Sequence, residues 1–247
     1  MNILAFFAHP DDETMLAGGA LALLAELGHT VHYLICTRGE GGETGVPPLC
    51  EQARLGEWRA KEAQNAVTAL GGKSLVFLDY IDPVVGPDNR LFTFCEDIDQ
   101  LSFDLSRVIK KLRIEIVISH GSNGEYGHPG HKTVYQAAKR YFDREHPSGL
   151  AWYTAQASYE NALKPHLINK DDPASWVINT QSVLDRKIAA ARAHVSQNAL
   201  FVRRMQKELA RKVVLEEVIV SEEAYHLAYG NKDYLLPIFE IAGAIKK

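Results

Sequence analysis

Ala8-His9-Pro10-Asp11-Asp12-Glu13 follows the apolar run Ile3 to Phe7, and a second polar group, Tyr126-Gly127-His128-Pro129-Gly130-His131, lies far downstream. An imidazole and two carboxylates at the end of a buried strand need a partner, because an unpaired buried charge costs roughly 3–5 kcal/mol. A divalent cation is such a partner. Pro10 fixes the backbone between the first two polar groups, so Asp11 and Asp12 point in different directions and can take different jobs. One carboxylate can bind metal with His9 while its neighbour faces the substrate water. His131 would then complete a His-Asp-His set with one position left open for water, as in catalytic zinc sites. Each segment alone also fits a solvated strand-end turn or a surface histidine pair; it is their combination that points to metal.

The elements that must position these groups follow from periodicity. Asn2–Phe7 reads as a central parallel strand, and residues 13–27 as an Ala/Leu-rich helix closed by Gly28. Residues 31–36, 75–78 and 114–119 read as further strands. Residues 54–70, ended by Gly71-Gly72, and Ile98–Leu112 read as the helices between them. This alternation predicts a doubly wound, mostly parallel α/β sheet with helices on both faces and right-handed crossovers. Ligands of such sheets collect at the carboxyl ends of the strands. His9 to Asp12, Arg38, Asp79 to Asp82 and His120 to His131 all fall there. After His146 the pattern weakens to a strand over 152–158, a polar, proline-interrupted stretch over 161–173, a helix over Leu184–Ala193 and an amphipathic helix from Leu200. The expected organisation is one domain over 1–247, with 1–140 carrying the metal site and 141–247 a C-terminal elaboration.

The chain has 247 residues, is 46% hydrophobic and carries a formal net charge of −4, which suits a globular protein and argues against a nucleic-acid partner. Arg203, Arg204, Lys207, Arg211 and Lys212 read as a solvated helix face. The apolar residues near the N-terminus are too few for a signal segment or a membrane span, so no membrane insertion and a cytoplasmic location are expected. The cysteines, Cys36, Cys50 and Cys95, lack metal-type spacing, and Cys36 is expected to pack in a strand. The Gly-rich loop 39–48 lacks the ending of a phosphate loop, which counts against a nucleotide-binding protein, and reads as a rim lid or an ordinary connection.

The two polar segments, with Thr37-Arg38-Gly39-Glu40 and Leu55-Gly56-Glu57-Trp58-Arg59-Ala60-Lys61-Glu62 between them, resemble the LmbE-like (PIG-L-like) zinc-dependent N-deacetylases. The likeness covers residues 1 to about 140 and resumes over 187–197, where Lys187, His194, Ser196 and Gln197 fit a late family pattern. It implies a Rossmann-like fold and Zn2+ as cofactor, with Fe2+ or another divalent ion left open. By the same resemblance His9, Asp12 and His131 are the metal ligands and Asp11 the general base. His128 stabilises the oxyanion or protonates the leaving amine, and the Tyr126 phenol reaches the oxyanion. Arg59 and Asp82 are implied sugar contacts, and His194 would approach from the C-terminal segment. Arg38, at the end of the second strand, is read as holding a substrate carboxylate near the mouth.

Plainer readings stand beside these. His128 could only orient the ligands, Tyr126 could be a packed loop aromatic, Arg59 could pair with Glu62 along a helix face, and Asp82 could start a turn before Pro83. Arg38 could bridge to Glu40 or Glu43, His194 could be structural, and Glu13 could support the ligand loop or cap its helix. The sequence departs from the family at Gly130, where Asp is common, which removes a carboxylate that could anchor an imidazole. The expected reaction is removal of the acetyl group from an N-acetylglucosaminyl-type glycoside, a small-molecule N-acetylated sugar conjugate, giving acetate and a free amine. A homo-oligomer is expected on general grounds. The alternatives are an amidase for a larger acyl group and a non-catalytic metal-dependent sugar-binding protein, against which the retained Asp11 argues.

Overall fold

Asn2–Phe7 contains no charged residue, and its alternate side chains can be buried on opposite sides of a sheet. In the computed structural model, which describes residues 1–246, they are. Ile3, Ala5 and Phe7 of this strand, β1, pack into one apolar layer, and Leu4, Phe6 and Ala8 into another. The first layer is closed by helices α1 (Asp12–Glu26), α2 (Leu55–Leu70) and, later in the chain, Leu184–Ala193. The second is closed by α3 (Ile98–Leu112) and by the helix Pro129–Glu145. Strands β2 (Thr30–Thr37), β3 (Ser74–Tyr80) and β4 (Ile116–Ser119) join β1 in parallel, in the order β3-β2-β1-β4. The chain winds first to one side of β1 and then to the other, so the crevice between the carboxyl ends of β1 and β4 is the topological switch point. Cys36 is buried in β2, as expected.

After β4 come the short turn α4 (Gly124–Gly127) and the helix Pro129–Glu145, α5. The strand expected over 152–158 is divided. β5 (Ala151–Ala155) extends the parallel sheet, Gln156 turns the chain at φ 56°, and β6 (Ala157–Ser158) pairs instead with β7 (Asn169–Pro173) in a separate two-stranded sheet. The polar stretch 161–173 thus contains a strand, which lacks an apolar alternation because its buried positions are Asn169 and Asp172. The edge pair β8 (Trp176–Asn179) and β9 (Glu222–Tyr229) is a further departure. β9 runs antiparallel to β5 and to β8, giving the order β3-β2-β1-β4-β5-β9-β8. The C-terminal half therefore completes the main sheet as well as elaborating it.

Between β8 and β9 lie α6 (Leu184–Ala193), α7 (Val195–Leu209) and the single turn α8 (Leu215–Val218); α9 (Leu236–Ile241) follows β9. The amphipathic helix expected from Leu200 starts at Val195. His194 breaks the run at φ −81°, ψ 56°, and Glu62 satisfies the new helix start by accepting from the Ser196 backbone N–H at 2.8 Å and from its hydroxyl at 2.7 Å. Among the described residues no helix is long and apolar enough to cross a membrane.

The late strand β9 ties the early helix α1 to α6 through one carboxylate. Glu223 accepts from the backbone N–H groups of Gly19 and Ala20 at 2.7 and 2.8 Å, from Tyr225 Oη at 2.7 Å and from Lys187 Nζ at 2.7 Å. Gly19 is needed for this approach, because a Cβ there would lie 2.2 Å from Thr180 Oγ1 and 2.8 Å from Glu223 Oε1.

Lys164, by contrast, sets its ammonium against a backbone carbonyl, that of Val218, in a partly buried position. Burial, with repulsion from Lys187, pushes its pKa down to about 7. The unfolded chain, with an ordinary lysine near 10.5, binds that proton more tightly, so this group makes stability rise as pH increases from about 7 toward 10.5. Replacing Lys164 by Met is expected to flatten that rise by about 2 kcal/mol, discounted for a side chain that is only partly buried. Urea melts of both proteins at pH 7 and 9.5 would show it, and parallel curves would refute it.

Candidate metal centre and active site

Two His-Pro pairs carry the site. A residue before proline is held away from the helical region, so each histidine lies just ahead of a helix; Pro129 also opens α5 at its first position, whereas Pro10 precedes Asp11, the N-cap of α1. After β1, His9-Pro10 leads into α1, and Asp12 in its first turn returns a carboxylate to His9, accepting from the His9 backbone N–H at 2.9 Å and lying 3.2 Å from Nδ1. After β4, His128 is the N-cap of α5; its Nδ1 accepts from the Gly130 backbone N–H at 3.1 Å, and His131 comes round one turn later. The rings of His128 and His131 stack with centroids 4.5 Å apart.

The strand order brings these two helix mouths together. His131 Nε2 lies 3.2 Å from Asp12 Oδ1, and His9 approaches the other oxygen of the same carboxylate. Nitrogens of His9, His128 and His131 fall within 4.8 Å of one another, and Asp12, His120 and His131 form a second such group. His131 is 1% exposed, and its Nε2 has no hydrogen bond of acceptable geometry. A bare, fully buried imidazole nitrogen beside a carboxylate and further imidazoles fits a divalent cation.

Burial pushes the Asp12 carboxyl up, but His131 and His120 outweigh it and hold it well below the usual carboxylate range. Burial lowers the His9 pKa, and the carboxylates of Asp82 and Asp12 more than reverse this, raising it to about 9. His128 goes the other way, to about 2, through burial and the charges of His9 and His131. A bound cation would act on it in the same direction. His128 is therefore neutral, and because Nδ1 accepts from Gly130 its proton resides on Nε2.

Asp11 occupies φ 106°, a backbone region that costs on the order of 1–3 kcal/mol outside glycine. Its backbone N–H donates to Glu13 Oε2 at 3.0 Å, so Glu13 does support the ligand loop. Arg59 Nη2 contacts Asp11 Oδ2 at 2.9 Å and Pro10 O at 2.5 Å, while Nη1 donates to Gly39 O at 2.9 Å. The Arg59–Glu62 helix-face pair does not form, since Glu62 serves Trp58 and Ser196 instead. Burial raises the Asp11 pKa to about 6, against the pull of Arg59. Gly39, at φ 68°, lets Arg59 in, as a Cβ there would lie 2.0 Å from Nη1.

His9, Asp11, Asp12, Arg59, Asp82, Tyr126 and His128 line one cavity of about 120 Å³ at this point. Asp82 Oδ1 is 3.2 Å from His9 Nε2. Tyr126 lies edge-on to His128 and His131, with Arg204 over its ring. Arg38 and His194 are not brought to the cavity. Arg38 pairs with Asp79 at 2.5 Å and stacks on Phe77, so neither expected glutamate is its partner. His194 is buried, with Nε2 3.1 Å from Glu13 Oε1. Gly41 and Gly42 of the loop 39–48 form part of the wall, and Gln197 Nε2 ties that loop down through Glu43 O.

Sequence reasoning gave no role to several residues here. Val85, Leu91, Phe92, Leu200 and Phe201 make an apolar outer wall from two segments without a motif. His120 was detectable only by its place at the end of β4. Glu125 gave no signal.

Comparison with known proteins agrees with this geometry. The family model described as PIG-L, GlcNAc-PI de-N-acetylase, matches residues 4–142. The 1D-myo-inositol 2-acetamido-2-deoxy-alpha-D-glucopyranoside deacetylase of Acidothermus cellulolyticus is 30% identical over 234 residues, covering 81% of this chain and 80% of that protein. Two solved structures share the fold at low identity. The zinc inhibited form of teicoplanin deacetylase Orf2 superposes with TM-score 0.61 at 13% identity, covering 94% of this chain and 100% of that one. The 4-carboxy-2-hydroxymuconate hydratase of Pseudomonas putida KT2440 gives TM-score 0.60 at 21% identity, covering 94% and 98%. One fold thus carries different reactions, and the sequence match over most of the chain is what decides the family. The chain belongs to the PIG-L family of de-N-acetylases, the LmbE-like family that its two polar segments resemble.

Proposed function

We propose that this N-deacetylase removes the acetyl group from an N-acetylglucosaminyl glycoside, with zinc held by His9, Asp12 and His131. The observation that carries the proposal is the bare, buried Nε2 of His131 beside the Asp12 carboxylate, with His9 on the other oxygen. A bound divalent cation supplies Lewis-acid polarisation of the amide carbonyl and acidifies water. Asp11, fixed by Arg59, takes the proton from the attacking water and returns it to the amide nitrogen as the C–N bond breaks, so acetate and a free amine result. His128 donates its Nε2–H to the carbonyl oxygen as negative charge develops there, and Tyr126 borders the same position. Asp82 and Arg59, which line the same cavity, are the candidate sugar contacts.

The apolar outer wall favours a second reading of the substrate's far end, in which the aglycone is apolar where that of the named relative is an inositol. Acetate release from a panel of N-acetylglucosamine derivatives, including inositol and aryl glycosides, is the test, with metal-free and zinc-restored protein side by side. Zinc-dependent acetate is the expected result, and the better glycoside identifies the aglycone class. Bound zinc without acetate from any member would refute the deacetylase reading in favour of an amidase for a larger acyl group.

A further inference from the structure

Gly130 removes the carboxylate that would flank His131 in sequence, and a side chain at 130 would in any case point elsewhere. A Cβ there would meet His9 Cε1 at 3.2 Å and His128 Nδ1 at 3.3 Å. A different carboxylate reaches His131. Glu125 Oε2 lies 2.6 Å from His131 Nδ1 and 3.0 Å from His120 Nδ1, and all three side chains are buried.

We propose that Glu125, with His120, is the positioning device of the metal centre, fixing the tautomer and ring plane of His131 so that its bare Nε2 faces the cation. The proposal rests on the metal set given above.

An ionised carboxylate only accepts hydrogen bonds, so both Nδ1 atoms must donate to Oε2 and both Nε2 atoms are left as acceptors. His120 Nε2 is satisfied within the fold, accepting from the backbone N–H of Ala8 at 3.1 Å. That bond fixes His120 to the end of β1, directly before His9. His131 Nε2 is then the acceptor left without a hydrogen bond. The His120 ring lies flat on the His131 ring, with centroids 3.9 Å apart and planes 15° from parallel, so His131 can neither flip nor tilt without displacing it. His120 thus braces the site, its Nε2 engaged by the Ala8 backbone N–H and lying 3.4 Å from Asp12 Oδ2.

The carboxylate is held from behind as well. Glu125 Oε1 accepts from the Gly121 backbone N–H at 3.1 Å and from Asn169 Nδ2 at 3.1 Å, while Asn169 Oδ1 accepts from the Glu125 backbone N–H at 3.0 Å. Asn169 is the first residue of β7, so the small second sheet supports the metal loop. Glu125 adopts φ 57°, ψ −86°, a conformation unfavourable for any residue with a Cβ. Such strain persists where the surroundings over-determine it and clusters at functional sites.

The test compares zinc affinity, by competition with a chromophoric chelator, with the melting temperature of the metal-free protein. Glu125→Gln is expected to weaken zinc binding about 10–100-fold, the usual effect of losing a carboxylate behind a ligating histidine, while the metal-free melting temperature moves by only a few degrees. Asn169→Ala removes the rear support but leaves the carboxylate on both imidazoles, and is expected to keep zinc affinity within about threefold of wild type. Equal weakening by both variants would make the network merely structural and overturn the proposal. So would wild-type affinity in Glu125→Gln. His131→Ala separates this failure from failure of the metal set, because a His131→Ala protein that still binds zinc normally refutes the set itself. Long-range 1H–15N correlation of zinc-loaded wild type gives a readout independent of any variant's folding. His131 is expected as the Nδ1–H tautomer, and coordination through Nδ1 would refute the device.

Discussion

Replacing Asp11 by Asn is expected to lower the rate of acetate release about 10²–10⁴-fold, the usual worth of a positioned general base, while zinc affinity stays near wild type. The substitution is close to isosteric, and Asn tolerates the left-handed side of φ better than most residues, so the backbone at φ 106° can survive it. The amide can still accept from Arg59 Nη2, now 2.9 Å from Asp11 Oδ2, and the backbone bond to Glu13 is untouched. What is lost is the ability to take and return a proton. Paired measurements of kcat and of zinc affinity decide the matter. Wild-type turnover in the variant would remove Asp11 from the mechanism, whereas joint loss of zinc and activity would make it a ligand and not a base. The sugar-receptor reading predicts no acetate from either protein.

The second large effect concerns stability. Replacing Glu223 by Ala is expected to destabilise the fold by about 3–5 kcal/mol, the range for breaking a buried ion pair by removal of one partner. It leaves the Lys187 ammonium, 1% exposed, with only the Val220 carbonyl at 3.0 Å, and strips Gly19, Ala20 and Tyr225 of an acceptor. At roughly 2–4 °C per kcal/mol for a chain of this size, the melting temperature should fall by about 6–20 °C. Lys187→Met should cost less, about 1–3 kcal/mol, because the carboxylate it leaves keeps its other donors. Urea denaturation of the two variants separates the claims. Equal losses would show that the ion pair, and not the backbone donors of α1, dominates.

The Lys187–Glu223 pair and the Arg59–Asp11 contact illustrate where sequence reading stops. Lys187 and Arg59 both stood in recognisable segments, yet their partners were not deducible from spacing. Arg59 has an acidic neighbour three residues on, and local reasoning offered that glutamate. The fold instead gave Arg59 a carboxylate 48 positions away, and Glu62 became the support for the start of α7. In the same way Arg38 found Asp79 across adjacent strand ends, and His194 was drawn inward to Glu13.

By itself the sequence determined β1, the alternation of strands and helices up to β4, and the two helix mouths that carry His9, Asp12, His128 and His131. Each depends on forces acting over a few residues: burial on alternate sides of a strand, the periodicity of a helix face, and proline's constraint on its own φ and on the residue before it. The family likeness could be read from the same segments. Only the tertiary structure decided that Glu125, in a glycine-like conformation, would brace His131. It alone decided that Asn169 of a polar strand would hold Glu125, and that an antiparallel pair from the end of the chain would complete the sheet. A lone carboxylate in a loop carries no local signature, because its value depends on which buried donors the closed chain sets around it.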